Sequence, residues 1–127
     1  MPIEKTVNQP VVNEDNVVRV ARRGFPLGQF DTVMAVLAEY GTEDWEHEVH
    51  RVRLVVLKLA AGDLTVLRQE IDLAKHDFRD VLAYAEYPEY MMKVSPGFNL
   101  PKKQVQDVIA RDRSQYENWL NKKSGEQ

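Results

Sequence analysis

Apolar residues along this chain recur three and four positions apart, the spacing that lines one face of an α-helix. The cleanest run is Leu64, Leu67, Ile71, Ala74, Phe78, Val81 and Ala85, with Arg68, Gln69, Asp72, Lys75, His76, Arg79 and Asp80 on the opposite face. It predicts a helix over 64–87, capped by Asp63 and ended by Pro88. Upstream, Trp45, Val49, Val52, Val56 and Leu59 alternate four and three apart, and Leu54, Val55, Leu57 and Ala60 fill the other sides. A helix that is apolar nearly all round belongs in the middle of a domain. The pattern therefore predicts a central helix over 43–61, with Thr42 as its cap and Glu43, Asp44 and Glu46 loading its positive end.

Two further helices flank this pair. Phe30, Val33, Met34 and Leu37 share a face of a helix over 28–40 that Gly41 would stop. Pro101 suits the first turn of a helix over 101–122, whose face would be Val105, Ile109, Tyr116, Trp119 and Leu120. Asp112 interrupts that stripe, either bonded to Tyr116 or another buried group or turned to water by a rotated helix. Residues 13–23 fit a short extra helix, with Asn13 as cap, acids first and Arg22-Arg23 last, although Val17, Val18 and Val20 fit a strand equally. The short links at Gly41-Thr42 and Gly62-Asp63 turn successive helices back on each other. The expected fold is all-α, an up-down bundle of about four helices in a single domain over 13–122. Residues 1–12 read as a flexible arm and 123–127 as a polar tail.

Composition narrows the chemistry. At 127 residues, 43% hydrophobic and 29% charged, the chain has the make-up of one globular domain. It holds no cysteine, which excludes disulfides, thiolate metal sites and thiol catalysis. Net charge is −3 with both signs interspersed, and the basic pairs Arg22-Arg23, Lys102-Lys103 and Lys122-Lys123 are scattered, a poor match for nucleic acid. Leu54 to Ala61 is the longest strongly apolar run and is too short to span a bilayer. The N-terminus lacks the apolar stretch of a secretion signal, so a cytoplasmic location is expected. No phosphate-binding loop, dinucleotide fingerprint or nucleophile elbow occurs, and no cofactor is implied.

Four constellations remain as leads. On a helix beginning at residue 43, Glu43, His47 and His50 would converge on adjacent turns, as ligands for zinc, iron or nickel or as the polar rim of a helix contact. Asp72, His76 and Asp80 form a carboxylate–imidazole–carboxylate stripe on the outer face of the long helix, where solvent should claim it. Asp112 is better explained by structure than by function. Finally, Tyr84, Tyr87, Tyr90, Met91, Met92 and Phe98 concentrate at the end of the long helix and in the loop after it, with Trp119 a prospective neighbour. Such residues either close the end of the bundle or dock a partner. The first expectation is a non-enzymatic interaction protein acting through self-association or partner docking. The alternative is a bundle that binds a metal or small molecule, or an enzyme built on one.

Overall fold

The computed structural model describes residues 12–97 and 99–122, and among these the regular structure is all helical, without strands. Helix α1 runs Glu14–Gly24, a single 3-10 turn Leu27–Gln29 leads into α2 at Phe30–Leu37, and α3 spans Val49–Ala60. Helix α4 spans Leu64–Glu86, α5 is the short helix Pro88–Lys93, and α6 runs Lys102–Leu120. Of the arm expected at 1–12 only Val12 is described, and Phe98 and the tail 123–127 lie outside the described residues.

Helix α3 is the centre. Val52, Leu54, Val55, Val56, Leu57 and Ala60 are all buried, covering every side of the helix. Helix α4 lies against most of its length, turned back by Ala61 and Gly62, both left-handed at φ 51° and 86°. A Cβ at Gly62 would stand 2.9 Å from the Gly24 carbonyl oxygen, so glycine lets this turn close onto the end of α1. Leu67, Ile71, Ala74, Val81 and Ala85 of α4 face the core as their spacing implies. Asp63 accepts a hydrogen bond from the Val66 amide at 3.1 Å, and Asn13 caps α1 through the Asn16 amide at 2.9 Å.

Three expectations need correction. The central helix begins at Val49 and not at 43; residues 41–48 form an irregular loop in which Trp45 is half exposed. Helix α2 stops at Leu37, short of Gly41. The segment after Pro88, expected as a loop, contains α5. Helix α4 also breaks at Asp77 (φ −156°, ψ 98°), whose carboxylate accepts from the Arg79 amide at 3.0 Å and caps the second half of the helix.

The last helix turns its expected face inward, with Val108 added to it and Asp112 lying within the stripe. Val108, Asp112, Tyr116 and Leu120 form the buried stripe, while Val105 and Ile109 are only half-buried. Its C-terminal carbonyls are gripped by α1: Arg19 donates to Leu120 O at 2.6 Å and Lys122 O at 3.0 Å, and Arg23 to Lys122 O at 2.7 Å. Arg23 also lies over the Trp119 ring and Arg22 over Phe30. Guanidinium groups at a helix C-terminus satisfy both the dipole and the orphan carbonyls.

Ile71→Ala should destabilise the fold by about 2–5 kcal/mol, because it opens a cavity against α3. Leu73→Ala, two positions away and 54% exposed, should change stability by less than about 1 kcal/mol. Urea denaturation of both variants checks the contrast.

Candidate functional site

Two buried carboxylates shape the surfaces that could carry function. The first is Glu46, whose side chain is fully buried within the 41–48 loop. Its Oε1 accepts from the amides of Gly41 (2.8 Å), Thr42 (2.9 Å) and Glu43 (3.2 Å), and Lys75 Nζ stands 3.6 Å from Oε2. Burial works to raise the carboxyl pKa, but the three amides and Lys75 together hold it below its ordinary value of 4.5. The loop thus closes on its own backbone amides through one of its own side chains.

The Tyr40 hydroxyl donates to the His47 carbonyl at 2.7 Å, and Arg53 donates to the Tyr40 carbonyl at 2.7 Å, fastening both ends of the same loop. Burial, reinforced by Glu46 and Glu48, pushes the Tyr40 phenol up to about 12, so it remains a neutral donor. Gly41 is left-handed at φ 110°, and a Cβ there would meet Val49 Cγ1 at 2.9 Å. The result is a loop of fixed shape with Trp45 at its surface.

The second carboxylate is Asp112. Helix α5 begins with Pro88 and has no side-chain cap of its own. Asp112, reaching from α6, accepts from the Glu89 amide at 3.0 Å through Oδ1 and from the Tyr90 amide at 2.9 Å through Oδ2. This is the task of an N-cap, performed by a residue more than a helix away in sequence. Outside the same contact, Glu89 binds Arg111 (2.9 and 2.6 Å) and Lys93 (2.9 Å). The Arg111 hydrogen bonds and then Lys93 draw the Glu89 carboxyl down to about 2.

The aromatic and methionine residues named from sequence are placed around this contact. Tyr84 on α4 is 54% exposed, Met92 on α5 is 71% exposed, and Tyr87, Tyr90 and Met91 are half-buried. Phe98 lies outside the described residues. Trp119 packs against the core beside Tyr116, at the far end of α6 from α5. Beside α5 runs a groove of about 270 Å³ lined by Lys93, Leu100, Gln104, Asp107, Val108 and Arg111. No local signal marks these residues, because α5 has no side-chain cap of its own and Gln104, Asp107 and Arg111 lie off the apolar stripe of α6.

The histidine lead loses its helical premise. Glu43 and His47 lie in the loop, His50 in the first turn of α3, and His47 stands edge to face with Phe78, the ring centroids 6.3 Å apart. The buried Nδ1 of His50 has no hydrogen-bond partner among the described residues. Among those residues no group of three His, Asp or Glu side chains is placed to hold a metal ion. Asp72, His76 and Asp80 are exposed, and the Asp77 break separates the first two from the third. No helix of the described residues is long and apolar enough to cross a membrane.

Comparison with protein-family models, with curated proteins and with solved structures finds no significant match. The geometry of this chain is therefore the ground for its function.

Glu46 contributes stability that is fully present above about pH 4.5 and is lost as pH falls through its lowered folded value. Glu46→Gln should cost about 1–3 kcal/mol at neutral pH and flatten the acid side of the stability curve. Chemical denaturation repeated between neutral and acid pH measures both effects.

Proposed function

We propose that this chain is a non-enzymatic interaction protein whose contact face is the corner formed by the end of α4, α5 and the facing half of α6. The observation that supports this reading best is the state of α5. Six residues bring Tyr90, Met91 and Met92 into one short helix, and none of the six is buried. A short helix of that composition gains little by folding against the core, yet Asp112 holds it in place with two hydrogen bonds.

Tyrosine and methionine suit such a face because they offer broad apolar area on side chains that either present a polar tip or adapt in shape. Exposed apolar surface rimmed by polar residues is characteristic of interaction sites, and here the rim is the Glu89, Lys93 and Arg111 ion-pair cluster. The groove next to it offers a place for an inserted side chain.

A photo-crosslinking residue at position 92 tests the reading in cells, with position 114 on the exposed side of α6 as control. A discrete protein adduct is expected from position 92, absent from 114 and lost when Tyr84→Glu is added. Met92→Glu and Tyr84→Glu should each leave stability within about 0.5 kcal/mol of wild type. Equal labelling from both positions, or unfolding by these exposed substitutions, would contradict a contact face at this corner.

A further inference from the structure

We propose that the groove beside α5 receives the 41–48 loop of a second copy of this chain, Trp45 foremost, so that copies join head to tail. The inference rests on the reading of the α5 corner as a contact face, and it names what docks there.

The first observation is charge. Glu43, Asp44 and Glu48 are exposed on the loop around Trp45. At the groove, Lys93 and Arg111 line the wall, and Lys102 and Lys103 are exposed at the start of α6 with no ion pair among the described residues. Within the wall Lys93 and Arg111 are balanced by Glu89, which pairs with both, and by Asp107, so the surplus positive charge beside the groove comes from Lys102 and Lys103. The start of α6 beside the groove is thus positive in a chain of net charge −3, and the loop, where Glu48 pairs with Arg51, is negative through Glu43 and Asp44. Opposed patches of this kind steer partners together and fix their register.

The second observation is shape. Trp45 is 50% exposed on a loop whose backbone is already fixed by Glu46, Tyr40 and Arg53. A large aromatic presented on a prearranged loop binds with little further loss of conformational freedom, and tryptophan is the residue most often found at the energetic centre of interfaces. The groove, whose apolar lining is Leu100 and Val108, is about 270 Å³, room for one large side chain. Loop and groove share no residue. Their contact is therefore heterologous, and it propagates into a ring or an open chain instead of closing as a twofold dimer.

Complementation in sedimentation velocity on the full chain tests this directly. Wild type should form species larger than a monomer as concentration rises, and added salt should weaken them. Trp45→Ser, which removes the loop's anchor, and Lys102→Glu with Lys103→Glu, which reverses the charge beside the groove, should each weaken association by roughly tenfold or more. An equimolar mixture of the two should form a one-to-one complex, because each keeps the face the other has lost. Glu43→Lys with Asp44→Lys probes the loop by charge alone should Trp45→Ser lower the melting temperature, and it should behave in the same way.

A wild type that stays monomeric at every concentration would overturn the proposal. So would single-face variants that associate like wild type, or a mixture that yields no complex. A crosslinked adduct from position 92 to a different protein, beside a monomeric wild type, would overturn self-docking and leave the α5 contact face standing. Absence of both adduct and association would remove the two together.

Discussion

Burial of α3 on every side is the constraint from which the rest of the molecule follows. A helix carrying Val52, Leu54, Val55, Val56, Leu57 and Ala60 around its circumference cannot present any side to water at its second half. Helix α4 covers most of it and α1 covers another side, with α2 packed on both of those helices. Residues of α6 complete the same core through Tyr116 and Leu120, and Arg19 and Arg23 tie that helix's end back to α1.

Two buried carboxylates gather backbone amides in the same way. Glu46 gathers three amides of a loop, and Asp112 gathers two amides of a helix start. A charged acceptor that replaces lost hydration with several backbone donors is among the stronger local ties a fold can make. Each carboxylate stays below the surface while fixing something above it: Trp45 in one case, the methionines and tyrosines of α5 in the other. Stability and presentation are thus linked, since the groups that order these two surface features are themselves buried.

Much of the fold was legible in the pattern of residues. The three-and-four repeat of α4, the Asp63 and Asn13 caps and the all-round apolar character of α3 follow from local chemistry that tertiary contacts did not override. The beginning of α3 did not follow, because Trp45 and Val49 continue the apolar spacing while the buried Glu46 carboxylate ties 41–43 into a loop through their amides. Helix α5 was hidden for a related reason: its cap is Asp112, contributed by another helix, so no local cap marks its start. The phase of α6 was legible in Tyr116, Trp119 and Leu120, whereas Asp112, buried in the same stripe, looks like an interruption because its partners are amides of another helix. Among the site residues, the exposure of Tyr84 and Met92 agrees with a surface role, whereas the convergence of Glu43, His47 and His50 depended on a helix that does not extend so far.

What the surface does depends on whether α5 stands outside the core in solution. Hydroxyl-radical footprinting, read methionine by methionine at a dilution where the chain is monomeric, measures this most directly. Met92 should be oxidised fastest and Met34, half-buried and packed against the core, much more slowly, with Met91 between them. Protection of Met92 equal to that of Met34 would show that α5 closes the end of the bundle and that no contact face exists at this corner.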